Sequence, residues 1–290
     1  MSSGNFKPPS AALARLFRLE SATWLYPILG VIYFLTHPFL YPLFRSRLVP
    51  IVLLSAFIYT LLFFFTYIPQ VAFLAIFQGW GAWVNGAILV LGEGAAIVAL
   101  LFEAFFVDET QVDVFDAVFL REGGPGAEDL ISHTRTLHMD SAQRDEQGRY
   151  VNPVKVLGKP NVSTVYAPFS LRQIIEFIVL LPLNLIPVAG PPLFLVLTGY
   201  RGGPFHHWRY FRLRDFSKEE RKQYIERRQL RYTWFGTVAL ILQLVPMLSM
   251  LFLLTTAAGA ALWAADMEKR RRAAYEYATQ HGGQYHDNPV

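Results

Sequence analysis

The sequence contains no cysteine and few charged residues, and both features restrict the class of protein to which it can belong. Without cysteine the chain has no disulfide, no thiol nucleophile and no cysteine-ligated metal. Charged side chains make up 17% of the 290 residues and hydrophobic ones 53%, whereas ordinary soluble domains carry roughly 25% charge. Between residues 49 and 106 only Glu93 and Glu103 are charged. Such a long apolar stretch exceeds any soluble core element, so the sequence predicts an all-α integral membrane protein.

The apolar stretch predicts two long transmembrane helices joined by a short turn. The first covers residues 49–78 and contains Pro69, which predicts a kink. The second covers residues 82–106, and the turn between the helices contains Trp80. Both are long enough to cross the hydrocarbon core at a rise of about 1.5 Å per residue.

Residues 21–44 are apolar and aromatic but are interrupted by Pro27, Pro38 and Pro42. Each interior proline removes a backbone donor and disturbs the preceding turn. We therefore interpret this stretch as a broken helix in or near the membrane interface, an amphipathic amino-terminal segment. A true spanning helix is the alternative, because prolines are tolerated in membrane helices.

Residues 107–170 form the one extended polar region, with ten acidic and six basic side chains. Val112, Phe115 and Phe119 recur at helical spacing, which predicts a helix at its start. From Ser132 onward the pattern predicts a loop with little regular structure. We expect a polar insertion on the cytoplasmic side.

Two further apolar segments, 171–199 and 234–265, are broken near their middles and carry basic residues on both flanks. A plain spanning helix carries its Lys/Arg excess at one end only. We therefore interpret both segments as partly inserted helical hairpins that return to the side from which they enter.

The basic segments of the chain then predict its topology. Segment 200–233 holds ten Lys/Arg against four acidic residues, and a second basic cluster covers 269–272. The positive-inside rule assigns both segments, residues 107–170 and the two termini to the cytoplasm. Residues 1–272 are thus predicted to form a single polytopic membrane domain, and residues 273–290 a polar tail.

The break in the first hairpin has a recognisable pattern, which consists of Pro182, Asn184, Pro187 and Gly190 followed by Gly199-Tyr200. This pattern and the helix layout resemble the CysZ sulfate permeases and the eukaryotic etoposide-induced membrane proteins. The resemblance covers roughly residues 15–272 and implies two long spanning helices followed by two partly inserted hairpins. The stretch 181–208 is most similar to a fungal branch, the outer spore wall proteins, which are associated with lipid droplets.

Four residues are candidates for a polar site inside the membrane. Asn184, Pro187 and Gly190 mark the break in the first hairpin, where non-helical backbone must be buried in protein or face water. They could line an anion or polar-solute site, or simply form the turn. Glu93 lies near the centre of the second spanning helix, where a carboxylate is costly. It could relay a proton, hold a polar substrate, or lock helices together.

The basic segment 200–233 mixes cations with aromatic side chains, which suits membrane headgroups better than nucleic acid. Ser217 and Glu220 form a capping-box pattern that predicts a helix start at Lys218. The adjacent His206 and His207 have poor metal-ligand geometry, so no metal and no cofactor is predicted. The predicted contacts to anionic headgroups are Trp208, Arg209, Arg212 and Arg214.

Two functions fit these patterns, and no enzyme motif supports a third. The first is an organising role in the membranes of the endoplasmic reticulum and lipid droplets, in spore or cell-wall assembly if the setting is fungal. The second is a transporter or channel for an anion or small polar solute, as the resemblance to the CysZ permeases implies. A homo-oligomer is left open.

Overall fold

The computed structural model describes residues 22–105, 107–160, 190–243 and 248–280. These residues are mostly helical, with one two-stranded sheet. The described α-helices in the first half are α1 (Tyr26–Thr36), α2 (Tyr41–Phe65), α3 (Tyr67–Gln78), α4 (Ala82–Phe105), α5 (Val107–Glu122), α6 (Ala127–Ser132) and α7 (Pro153–Val156). Those in the second half are α8 (Gly190–Gly202), α9 (Trp208–Leu213), α10 (Lys218–Arg227), α11 (Gln229–Gln243) and α12 (Ser249–Gln280).

The amino-terminal segment is broken, as the prolines predicted. Helix α1 ends at Thr36, and His37 is extended, because the residue before a proline disfavours the helical conformation. A short 3₁₀ turn over Pro38–Leu40 then leads into α2. The helical stretches on either side of the break meet at an angle of 88°.

The first predicted spanning helix begins earlier and is divided. Helix α2 already starts at Tyr41 and contains Pro50 in its interior. It ends at Phe65, four residues before Pro69, whose ring clashes with the carbonyl at that position. The helix is interrupted at Thr66 and continues as α3, so the break falls where the proline predicted it.

Helices α3 and α4 form a hairpin with its tip at Gly79–Gly81. Gly79 has a φ of +55°, and the adjacent Trp80 is 91% exposed. The helices approach closely where Gly86 faces Val71. By length and composition, the stretch Tyr67–Leu91, which includes this turn, is apolar enough to cross a membrane, and the bent pair at the amino-terminal segment would make a second such span.

The structure corrects the interpretation of residues 107–170 as a polar insertion that is mostly loop, because the described part, residues 107–160, contributes to the core. Helix α5 buries apolar side chains along most of its length, including Val114, Phe115 and Phe119. Beyond Ser132 the chain forms strands β1 (Arg135–Leu137) and β2 (Leu157–Pro160), which pair antiparallel. The predicted loop is therefore a folded unit packed on α5.

Two helix crossings rely on glycine. Helix α1 packs on α12 at Gly30, where an added Cβ would lie 2.6 Å from the backbone nitrogen of Gly259. Helix α8 packs on α11 in the same manner, with Gly199 against Thr237. Small residues let two backbones approach closely, which favours such crossings within a membrane.

The second predicted hairpin corresponds to α11 and α12, which contact each other. Helix α11 ends at Gln243 and α12 starts at Ser249, on either side of the predicted break at Pro246, which lies outside the described residues. Helix α12 extends 15 residues past the predicted boundary at Ala265, reaching Gln280. The predicted start at Lys218 is confirmed, since Ser217 and Glu220 form both hydrogen bonds of a capping box.

Candidate functional site at the polar cap

The polar cap, defined here as residues 107–160, 208–228 and 266–272, is organised around a buried carboxylate. Asp116 on α5 is fully buried. Arg209 donates to it from Nε at 2.8 Å and from Nη2 at 2.6 Å, and Arg135 donates from Nη1 at 3.0 Å. Arg209 also reaches Thr134 Oγ1 at 2.8 Å. Two arginines thus compensate one buried charge, which would otherwise be expensive to desolvate.

A second buried carboxylate ties α9 to α12. Glu268 is fully buried and accepts hydrogen bonds from Tyr210 Oη at 3.1 Å and Arg271 Nη2 at 2.5 Å. Arg214 lies 3.3 Å from Oε2. Burial alone would raise the pKa of Glu268, but the Arg271 hydrogen bond and the charges of Arg214 and Arg271 hold it below its usual value.

These two networks join segments that are distant in sequence. Asp116 and Arg209 are separated by 93 positions, and Tyr210 and Glu268 by 58. The first pair brackets the first predicted hairpin, and the second pair brackets the second. The described chain on both sides of each predicted hairpin therefore meets in the same polar cap.

A buried histidine fixes the seam between the turn at Gly203–His207 and helices α11 and α12. Nδ1 of His207 lies 3.0 Å from the Tyr232 hydroxyl, and Nε2 lies 3.0 Å from the carbonyl of Ala260. The carbonyl can only accept, so Nε2 donates and the Tyr232 hydroxyl donates to Nδ1. Burial lowers the pKa of His207 to about 3, so the ring is neutral. Its ring centroid is 4.2 Å from that of Trp263.

The predicted headgroup residues divide into two groups. The prediction is wrong for Arg209, which is 4% exposed and bonded to Asp116. Arg214 is likewise directed inward, to Glu268. Arg212 is exposed and lies 5.6 Å from the Trp208 ring centroid. Sequence alone did not separate these arginines, because a core ion pair 93 residues apart leaves no local pattern.

Glu93 has a partner in the neighbouring helix. Nε2 of Gln70 on α3 lies 2.9 Å from Oε1 and 2.8 Å from Oε2 of Glu93 on α4. Both side chains are partly buried. The structure thus provides the helix-locking arrangement that the sequence left open as one role for this carboxylate.

The remaining candidates lie at or beyond the edge of the described residues. Asn184 and Pro187 are outside them, and Gly190 is the first residue of α8. Within the described ranges, no group of three or more His, Asp or Glu side chains could hold a metal ion.

Helix α1 lies along the polar cap and its flanks rather than away from them. Thr23 donates to the carbonyl of Arg231 at 2.9 Å, Tyr26 to Asp266 at 2.7 Å and Tyr33 to Glu122 at 3.0 Å. The opposite face of α1 exposes large apolar side chains, which are Leu29, Ile32 and Leu35. The buried face of α1 therefore carries two tyrosine hydroxyls that bond to the cap, and its outer face is apolar.

Helices α2, α3 and α4 expose large apolar side chains over much of their length. Phe57, Phe64, Phe73, Ile76 and Phe77 are all more than 60% exposed. Exposed apolar area of this extent marks a surface that contacts lipid or another apolar partner. Together with the charged cap, it defines a mainly helical membrane protein.

Comparison with known sequences identifies the family. The family model described as sulfate transporter CysZ/etoposide-induced protein 2.4 matches residues 26–253. The chain belongs to this family. It is also 27% identical over 151 residues to the outer spore wall protein RRT8 of Saccharomyces cerevisiae. That match covers 44% of this chain and 44% of the yeast protein, so the chain spans less than half the length of that relative.

Proposed function

We propose that this chain is a non-enzymatic membrane organiser of the endoplasmic reticulum and lipid-droplet system, acting in spore or cell-wall assembly. Its similarity to an outer spore wall protein supports this role. The main observation behind this proposal is that a polar cap held together by buried ion pairs adjoins helices whose apolar faces are exposed. That combination suits a protein that binds one face of a membrane and organises the lipids or proteins at that face.

The proposed topology has two spanning helices and two hairpins that enter and return. The Asp116–Arg209 and Arg214–Glu268 contacts support it, because each joins residues on opposite sides of one hairpin. If residues 234–265 crossed the bilayer once, Arg214 and Glu268 would lie on opposite faces, about 30 Å apart. In the topology with two returning hairpins, both termini and the polar cap are cytoplasmic.

In this topology α1 lies in the headgroup region. Its bonds from Tyr26 and Tyr33 to cap carboxylates hold one face at the polar level. Its outer face offers Leu29, Ile32 and Leu35 to the acyl boundary. The 11-residue length of α1 and the 88° break after it favour a position at the interface over a crossing of the bilayer.

Anionic lipid headgroups are the proposed partners of the exposed cations of the cap. Lys218 and Arg227 on α10 are exposed on the surface, in contrast to Arg209. A basic segment near an anionic leaflet gains about 1 kcal/mol per Lys or Arg. This attraction would orient the cap on the cytoplasmic face.

A second candidate function is transport of an anion or small polar solute. The family name includes a sulfate transporter, and this favours the candidate. The described core is instead filled by packed aromatic rings around His207, such as Tyr232, Phe235 and Trp263. This packing favours the organising role.

The test combines two measurements on the full chain. Fluorescently tagged protein is localised in cells against endoplasmic reticulum and lipid-droplet markers, and purified protein is assayed for sulfate flux in sealed vesicles. We expect localisation to these membranes and flux no greater than that of empty vesicles. Protein-dependent, saturable sulfate flux would replace the organising role with transport.

A further inference from the structure

A groove of about 240 Å³ runs between α1 and α12 and ends at the carboxyl end of α5. Its walls combine apolar side chains with both signs of charge. The residues that matter here are Leu29, Ile32, Tyr33, Glu122, Asp266 and Lys269.

The polar end of the groove is held in place by hydrogen bonds. The Tyr33 hydroxyl donates to Glu122 Oε1 at 3.0 Å, and the Tyr26 hydroxyl donates to Asp266 Oδ2 at 2.7 Å. The hydroxyls fix the position of both carboxylates, and Arg121 Nε lies 3.7 Å from Glu122 Oε1. Lys269 lies three residues after Asp266 and therefore on the same face of α12, with an exposed side chain.

The apolar end opens onto the outer face of α1. Leu29 is 39% exposed and Ile32 is 50% exposed, although both line the groove. The face continues to Leu35, which is 61% exposed. A molecule with its polar end near Asp266 would thus lay an apolar tail along the surface of α1 that is proposed to meet the membrane.

We propose that this groove binds one phospholipid with a zwitterionic, amine-bearing headgroup. The lipid ammonium pairs with Glu122 and Asp266, the phosphate pairs with Lys269, and one acyl chain follows Leu29 and Ile32. Two carboxylates beside one ammonium match a headgroup that carries both signs. They disfavour an anionic headgroup without an amine, because like charges in a partly desolvated site repel. The proposal rests on the proposed interfacial position of α1.

The experiment uses the full chain purified in detergent. Mixed micelles contain equal amounts of dioleoyl phosphatidylethanolamine and dioleoyl phosphatidylglycerol, and retained lipid is counted by native mass spectrometry. We expect one phosphatidylethanolamine per chain whose retention depends on the groove, whereas phosphatidylglycerol retained by the exposed cations of the cap should not respond to changes in the groove. Lys269→Gln should weaken retention roughly fivefold, the factor that corresponds to about 1 kcal/mol. Leu29→Trp, which fills the groove from its exposed wall, should abolish it.

Three further variants complete the test. Lys222→Gln removes a 77% exposed cation from α10 and should leave retention unchanged. Asp266→Asn keeps an oxygen acceptor for Tyr26, so it should preserve the thermal unfolding midpoint while reducing retention. Deletion of residues 2–20 should change nothing. A rise in retention after this deletion would make the amino-terminal segment the occupant of the groove.

Equal loss of both lipids in Leu29→Trp, or no loss of phosphatidylethanolamine in Lys269→Gln and Leu29→Trp, would overturn the proposal. The proposed function can fail separately, because it is tested by localisation and flux rather than by lipid counting. A chain that reaches the expected membranes but retains no phosphatidylethanolamine would refute the groove alone.

Discussion

The guanidinium of Arg209 binds both carboxylate oxygens of Asp116, across 93 positions of sequence. Both side chains are buried, with 4% of Arg209 and 0% of Asp116 exposed. A bidentate pair of this kind fixes direction as well as distance. It therefore sets how α9 sits on α5, and with it how the chain on either side of the first predicted hairpin comes together.

Removal of Arg209 should destabilise the protein strongly. Arg209→Ala leaves the buried carboxylate of Asp116 with Arg135 alone, and breaking a buried pair typically costs about 3–5 kcal/mol. The measurement is the denaturation midpoint of the purified protein in detergent. Lys222→Ala is the matched control, because its 3.9 Å contact with Glu226 is exposed and should contribute less than about 0.5 kcal/mol. Equal shifts in the two variants would refute the central role of this pair.

The second network should make stability depend on acid pH. The pKa of Glu268 lies below its ordinary value of 4.5. A lowered carboxyl pKa contributes stability that is fully present above the unfolded-state pKa and is lost as pH falls through the folded-state pKa. The thermal unfolding midpoint should therefore fall when the pH is lowered below about 4.5. Glu268→Gln should make this fall smaller and should lower the stability at neutral pH. Parallel pH profiles for the two proteins would exclude Glu268 as the source.

The crossing of α1 and α12 should not tolerate a side chain at its closest point. In Gly30→Ala the new Cβ would lie 2.1 Å from the carbonyl oxygen of Thr255, which is backbone and cannot turn aside. Overpacking of this kind costs about 1–3 kcal/mol. Gly202→Ala is the control, because nothing lies within 4 Å of its added Cβ. Thermal unfolding should separate the variants, and an unchanged Gly30→Ala midpoint would contradict the crossing.

Part of this architecture could be predicted from local sequence. Pro38 and Pro69 mark the breaks in the first third of the chain, and Ser217 with Glu220 marks the start of α10, because these signals act within one helical turn. The burial of α5 and the inward direction of Arg209 could not be predicted. An arginine beside aromatic residues looks the same in sequence whether it meets a lipid phosphate or a distant aspartate.

Glu93 should prove structural. Glu93→Gln keeps an oxygen acceptor for the Gln70 amide at nearly the same shape, so expression and unfolding should match the parent protein. Glu93→Leu removes the acceptor and should lower the unfolding midpoint, since the Gln70 amide then loses its partner. If any solute flux is found and Glu93→Gln abolishes it at equal expression, the carboxylate has a transport role instead.

The most direct test of the whole account is the sidedness of four single cysteines. The natural chain has none, so each introduced thiol reports one position. Lys159→Cys, Lys222→Cys and Glu276→Cys are exposed on or just beyond the polar cap, and Trp80→Cys is at the 91% exposed tip of the α3–α4 hairpin. A membrane-impermeant maleimide is applied to sealed vesicles with the cytoplasmic face outward. We expect the first three positions to be labelled in intact vesicles, and Trp80→Cys to be labelled only after the vesicles are permeabilised. Labelling of Lys222→Cys and Glu276→Cys from opposite faces would contradict the proposed topology.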